Sequence, residues 1–370
     1  MKVGVPTEIK TDEYRVALTP IGVRELVEHG HEVIIQSGAG DGSSLSDGDF
    51  SAQGAKIAPD AEAVFGEADM ILGVKEPQPE EVDLLREDQV LFTYLHLAPV
   101  PELAQGLVES GATCIAYETV EDPQGRLPLL APMSEIAGKL ATQSGAFMLE
   151  KPMGGRGMLL GGVPGVAAAN VMVIGGGVVG LNAANIAIGM QADTFVFDMS
   201  IPRLRELESI FDGRASTVHS STLAIEQMLP QADLVIGAVL VHGAKAPHVI
   251  SRRQLELMKP GTVIVDVAID QGGCFETSRP TTHTDPTYEV DGILHYCVAN
   301  MPGAVPITAT YALTNATLPY VLMLADHGVK EACRMDPGLS PGINVAKGKI
   351  TNQPVAEAIG AEYHAPFKLL

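Results

Sequence analysis

Cysteine is scarce in this chain. Cys114, Cys274, Cys297 and Cys333 are spread over 370 residues, with no C-x-x-C pair and no nearby histidine at ligand spacing. That pattern excludes a disulfide framework and a structural zinc site, and it fits a reducing compartment. Positive charge is scarce as well: 24 Lys and Arg stand against 45 Asp and Glu, for a formal net charge of −21. A phosphate backbone would repel such a chain, so nucleic-acid partners are not expected. The first residues, Met1-Lys-Val-Gly-Val-Pro6, lack the apolar core of a secretory signal, and none is expected. Charge is missing altogether from Gly157 to Gln191, a stretch long enough to cross a bilayer. Its glycines, Pro164, Asn170, Asn182 and Asn185 divide it into short pieces, and a similar run, Cys297–Ala325, is interrupted by Pro302, Pro306 and Pro319. No membrane span is expected.

What is present is a large apolar fraction, 46% hydrophobic against 19% charged, in a chain long enough for two domains. Its most specific segment is Val171-Met-Val-Ile-Gly-Gly-Gly-Val-Val-Gly180. An apolar strand runs into Gly175-x-Gly177-x-x-Gly180 and then into an apolar helical stretch, Val178 to Met190. A second apolar strand follows and ends on Asp198. This is the dinucleotide-binding fingerprint in its strand–turn–helix–strand setting. Gly175 permits the turn, Gly177 lets a pyrophosphate approach the backbone, and Gly180 lets helix and strand pack closely. Asp198 can accept hydrogen bonds from ribose hydroxyls and would repel a 2′-phosphate, which favours NAD over NADP. Arg203 and Arg205 are the residues that could hold that phosphate; their plainer reading is a solvated helix face.

The fold class expected is α/β, with two doubly wound Rossmann-like domains. Lys2–Pro6, Glu32–Gln36, Met70–Lys75, Val90–Leu95 and Ala112–Glu118 read as strands of a first domain, with helices at Pro20–His29 and Pro101–Ser110 between them. A long helix capped by Ser134 connects to the nucleotide domain, and Gly154–Gly165 reads as a hairpin. Asp233–Val241, Thr262–Ile269 and Ile293–Asn300 supply further strands. A long helix, Ile307–Asp326, then returns the chain. The layout is discontinuous: residues 1–130 with 310–370 form the substrate domain, and residues 131–309 form the inserted nucleotide domain.

Three polar residues of the first domain follow apolar strands, where open α/β sheets place ligands: Arg15, Lys75 and His96. In the second domain Asp270 ends Thr262-Val-Ile-Val-Asp-Val-Ala-Ile-Asp270 at the same kind of edge, while Asp266, in mid-strand, reads as structural. Arg15 can grip a carboxylate through its planar fork, Lys75 adds a point charge, and His96 can take and return protons near neutral pH.

Arg15-Val-Ala-Leu-Thr-Pro20, Val74-Lys-Glu-Pro77, Tyr94-Leu-His-Leu-Ala-Pro99, the glycine loop and Asp266-Val-Ala-Ile-Asp-Gln-Gly-Gly273, in this order, resemble the alanine dehydrogenases from end to end. The resemblance implies NAD-dependent, reversible oxidative deamination of L-alanine to pyruvate and ammonium by a cytoplasmic homohexamer. It implies that Arg15 and Lys75 bind the substrate carboxylate and that His96 and Asp270 are the catalytic pair. It places Ser134, Gly175, Gly177, Val178, Val179, Gly180, Asp198, Arg203, Ser220, Val239, Leu240, Val267, Ala268, Ile269, Asp270, Arg279, Val298, Asn300 and Met301 around the cofactor. Some family members hold a divalent ion through a carboxylate and a histidine one turn apart. Here His327 follows Met323, a poor ligand for a hard cation, and no metal is expected. The alternative within the family, the NAD(H)-binding component of proton-translocating transhydrogenase, implies an apolar or aromatic residue in place of His96.

Overall fold

The structure is a computed structural model and describes residues 1–239 and 246–369. Leu240 and the end of the expected strand Asp233–Val241 lie outside the described residues. The chain forms two compact units, Met1–Met133 with Gly303–Leu370, and Ser134–Pro302. Each is built on a mostly parallel sheet, the α/β class expected from the sequence.

The first unit contains β1 (Lys2–Val5), β2 (Glu32–Gln36), β3 (Lys56–Ala58), β4 (Met70–Leu72), β5 (Val90–Thr93) and β6 (Thr113–Ala116). The second contains β7 (Asn170–Ile174), β8 (Asp193–Asp198), β9 (Ser216–His219), β10 (Leu234–Gly237), β11 (Val263–Asp266), β12 (Thr287–Val290) and β13 (Ile293–Tyr296). The chain then returns to the first unit for β14 (Ile343–Ala346) and β15 (Lys349–Ile350). The sheet orders are β15-β14-β6-β5-β4-β1-β2-β3 and β12-β13-β11-β10-β7-β8-β9. Pairing is parallel throughout except at β14, β15 and β12. Both faces of β4, β5, β10 and β11 are buried, which is why those strands read as unbroken apolar runs.

In each sheet the first strand lies centrally, and strand order reverses beside it. The reversal falls between β1 and β4 in the first unit and between β7 and β10 in the second. Chain segments leaving these strand pairs at their carboxyl ends diverge to opposite faces and open a crevice, the usual ligand position in such sheets.

Several elements depart from the sequence expectations. The helix expected to be capped by Ser134 spans Ala131–Met148, so Ser134 stands inside its first turn. Pro132 sits at the helix start, where proline's fixed φ is favourable and its missing N–H costs nothing. The returning helix runs from Pro306 to Met335. Pro319 lies within it, and the interruption comes instead at Gly328, with φ 73°. Strands β4, β5, β6 and β11 stop earlier than their apolar runs, because the residues that follow are drawn into side-chain contacts described below. Among the described residues, no helix is long and apolar enough to cross a membrane.

Candidate active site

In the first unit the polar residues gather on the segments that leave β1, β4, β5 and β6. Arg15 lies on the long loop after β1 and is 2% exposed. Its Nε donates to Glu13 Oε1 at 2.6 Å, its second terminal nitrogen donates to Glu13 Oε2, and the other donates to Met133 Sδ at 3.0 Å. Burial opposes the charge on Arg15, but the hydrogen bonds and charge of Glu13 outweigh it and hold the guanidinium protonated. The loop itself is tethered. Val16 N–H donates to Thr310 Oγ1 at 3.2 Å, and Gly42 packs so closely that a Cβ there would lie 2.4 Å from Tyr14 O.

Lys75 follows β4, beside the strand reversal. Its N–H donates to Glu8 Oε2 at 3.2 Å, and its carbonyl accepts from Thr93 Oγ1 at 2.8 Å. Glu8 Oε1 accepts from Val74 N–H at 2.6 Å. Burial pushes the Glu8 carboxyl up to about 8 against the pull of these two N–H groups, and the charges of Glu13 and Glu81 add to the rise. Glu76, next in sequence, pairs with Lys10.

His96 comes just after β5 and adopts a left-handed backbone, φ 48°, rare for a residue with a side chain. Glu118, just after β6, accepts its N–H at 2.6 Å and that of Leu95 at 3.2 Å, and stands 3.6 Å from its Nδ1. The imidazole stacks on Tyr94, centroids 5.7 Å apart and rings 2° from parallel. Tyr94 is fixed in turn by its hydroxyl, which donates to Leu129 O at 2.6 Å. The His96 side chain remains 38% exposed, so it is braced from behind and open in front.

In the second unit the glycine loop follows β7 at the strand reversal. Gly175 has φ 102°, and a Cβ there would lie 2.5 Å from Ala238 O. A Cβ on Gly180 would lie 1.8 Å from Gly175 O, whereas one on Gly177 would meet nothing within 4 Å. The helix Val178–Gly189 starts here, with Val178 exposed at its first turn. Asp198, ending β8, accepts Gly176 N–H and Ser200 N–H, each at 2.8 Å. Arg203 Nε donates to Gly176 O at 2.6 Å, so Gly176 is held on both sides. Ser220 N–H donates to Asp198 O at 2.9 Å. Gly175, Asp198, Arg203, Ser220 and Val239, the last beside Gly175, thus form one connected group.

Asp270 does not end a strand. β11 stops at Asp266, whose buried carboxylate accepts N–H from Ala268 (3.0 Å) and Cys274 (2.8 Å) and the hydroxyl of Ser278. Those bonds turn the chain off the sheet, as an aspartate side chain readily does. Asp266 is therefore structural, and Asp270 is exposed on the short 3-10 turn Ile269–Gln271. Val267 continues from β10 through its N–H to Gly237 O at 3.0 Å. Ser134 lies one turn before Gly138, which packs against the start of the nucleotide helix closely enough that a Cβ there would meet Val179 O at 2.2 Å. Arg279 stacks over Tyr288 at 4.0 Å; Val298 and Met301 are buried, and Asn300 (φ 59°) accepts from His283 Nε2.

Models for the N-terminal and C-terminal domains of alanine dehydrogenase/PNT match residues 4–137 and 141–353. The chain belongs to the alanine dehydrogenase/PNT family. It is 60% identical to alanine dehydrogenase of Halomonas elongata over 98% of both chains. It is 55% identical to that of Mycobacterium tuberculosis over the whole of both. A solved L-alanine dehydrogenase superposes with a TM-score of 0.94 at 51% identity, covering 97% of this chain and 99% of the other. A transhydrogenase from Sinorhizobium meliloti (TM-score 0.81, 23% identity, 95% and 99% covered) shares the fold.

The glycine loop fits a dinucleotide of the kind this family's fold suggests. The open space at Gly177 leaves room for a pyrophosphate, and Gly180 has no room for any side chain. The Asp198 oxygens, each accepting one N–H, retain lone pairs for ribose hydroxyls. Sequence reasoning did not find Glu8, Glu13, Tyr94 or Glu118. Glu118 carried one usable signal: it ends the apolar run next to the one that ends at His96.

Proposed function

We propose that this protein is an NAD-dependent alanine dehydrogenase, interconverting L-alanine with pyruvate and ammonium. The observation that carries this reading is the full-length identity to alanine dehydrogenases, with His96 braced by Glu118 and Tyr94. The first unit acts as the substrate domain and the second as the cofactor domain.

NAD held by the glycine loop and Asp198 would supply the hydride acceptor for alanine oxidation, and NADH the hydride donor for the reverse reaction. Lys75 binds the substrate carboxylate as a point charge, and Arg15 contributes through the terminal nitrogen that faces Met133, because the two-pronged edge of its fork is already taken by Glu13. Lys75 Nζ makes no hydrogen bond or close ion pair among the described residues, though its charge helps to hold the neighbouring Glu76 carboxyl below the usual range. The His96 imidazole, with Glu118 behind it, acts as the base that activates water for imine hydrolysis. The exposed Asp270 carboxylate orients the ammonium or the water. Asp198, the glycine loop and the first turn after it hold the cofactor, with Ser134, Ser220, Val239, Val267–Asp270, Arg279 and Val298–Met301 bordering it. The family resemblance supports a cytoplasmic homohexamer, which sedimentation of the full chain tests.

The reading requires NADH oxidation when pyruvate and ammonium are supplied together; tight NADH binding without turnover would overturn it. Arg203 is engaged with Gly176 O and with Glu206 and is not free for a 2′-phosphate. Asp198→Ala therefore relaxes the NADH-over-NADPH ratio of kcat/KM by roughly tenfold, the scale of one lost hydrogen bond to a charged group. An unchanged ratio would assign cofactor choice to another residue.

A further inference from the structure

Glu8 is an enclosed acid that neither substrate binding nor proton transfer has yet employed. It stands at the strand reversal of the first sheet, on the segment leaving β1, directly across from Gly73-Val74-Lys75 leaving β4. Its two oxygens take the two consecutive N–H groups of Val74 and Lys75. On the other side, Thr93, at the end of β5 and fully buried, donates to the Lys75 carbonyl at 2.8 Å. The Lys75 peptide is thus held at its N–H from one neighbouring strand and at its carbonyl from the other. Gly73 completes the fit, because a Cβ there would come within 2.8 Å of Thr93 Oγ1.

We propose that Glu8 and Thr93 form a clamp that positions Lys75 for substrate recognition, Glu8 being a positioning residue that acts only through Lys75. The inference rests on the reading of Lys75 as a substrate ligand. Lys75 has a long, flexible side chain whose head group makes no hydrogen bond or close ion pair among the described residues, so its aim depends on where its backbone is fixed. A strand continued by ordinary ladder bonds would direct Lys75 by the pleat. Here the ladder to β5 runs on through Gly73 N–H to Phe92 O (3.1 Å) and Tyr94 N–H to Val74 O (3.3 Å), while on the β1 side the Glu8 side chain takes the place of ladder acceptors for Val74 and Lys75. Enclosing a carboxyl is unfavourable, as its raised pKa shows, and an apolar residue would fill the space at lower cost. Retaining an acceptor with two oxygens makes sense where two adjacent N–H groups must be held in one place.

The test is a double-mutant cycle on the full-length enzyme, read as kcat/KM for pyruvate with ammonium and NADH saturating. Glu8→Ala lowers kcat/KM by roughly tenfold or more, the scale of losing two buried hydrogen bonds. Glu8→Gln, which keeps one carbonyl acceptor, falls between wild type and Glu8→Ala. NADH affinity, measured by fluorescence, stays at the wild-type value in all variants. In a Lys75→Ala background, Glu8→Ala causes no further loss. Equal losses in both backgrounds, or wild-type kcat/KM for Glu8→Ala, would overturn the clamp. If Glu8→Ala does not fold, Thr93→Val takes its place in the cycle with the same expectations. If Lys75→Ala alone retains wild-type kcat/KM, the substrate role of Lys75 fails, an outcome separate from the other two.

Discussion

His96→Ala lowers kcat for pyruvate and ammonium by roughly 10²- to 10⁴-fold, the usual contribution of a positioned acid–base group. NADH affinity and thermal stability stay near wild type, because the imidazole is partly exposed and its side chain is not part of a buried core. The expectation comes from how the residue is held. A backbone at φ 48° is unfavourable for a side-chain-bearing residue, and the bonds from Glu118 to Leu95 and His96 N–H keep it there. Removing the ring leaves those backbone bonds intact, so the loss is chemical and not structural. A variant with normal kcat would remove His96 from the mechanism. Tyr94 braces one face of the ring, so substrate must approach from elsewhere on it.

Gly180→Ala abolishes measurable NADH binding and lowers the melting temperature. Its Cβ would stand 1.8 Å from the carbonyl oxygen of Gly175, a backbone atom fixed by the same loop. Strand and helix would have to separate, a distortion of about 3 kcal/mol or more on the scale of severe core overpacking. Gly177→Ala provides the contrast. Its backbone, φ −66°, suits alanine, and the new methyl meets no protein atom, so stability is unchanged. If the pyrophosphate approaches there, affinity for NADH nevertheless falls, by roughly tenfold on the scale of a misplaced methyl group at a close contact. Calorimetry with NADH on both variants reads the two effects separately. Equal melting temperatures for Gly180→Ala and wild type would show that the loop can relax.

The glycine loop was legible in the sequence because each of its residues meets a local demand: a positive φ, an open approach or a close packing. The strand ends were legible to within a few residues, because burial on both faces leaves unbroken apolar runs. The errors have physical sources. Asp270 was placed at the end of a strand because Val267, Ala268 and Ile269 prolong the apolar pattern, yet the Asp266 side chain turns the chain first. Ser134 reads as a cap because it precedes an apolar stretch, whereas Pro132 already starts the helix. Glu8 gives no sign of its partners; Glu13 is two residues from Arg15, and Glu118 ends the apolar run next to the one that ends at His96. Glu8 meets Lys75 across 67 positions and Glu118 meets His96 across 22, and a single sequence holds no record of such distances. The short strands β3, β9, β12, β14 and β15 are not legible in the sequence for a related reason: their identity comes from the neighbour they pair with.

One pairing in the first sheet also sets an order of events during synthesis. β6 finds β5 just before it, but its other edge is closed by β14, which pairs in the opposite direction and is made only after the entire second unit. At elongation rates of about 5–20 residues per second, the Thr113-Cys-Ile-Ala116 edge waits about 10–50 s for its partner. During that interval a flat, apolar strand offers unpaired amides to any neighbouring chain. The second unit, continuous in sequence, can close meanwhile. The nascent protein therefore passes through a state in which its nucleotide fold is complete and its substrate fold has one unzipped side, and it is there that ribosome-associated holdases have something to protect.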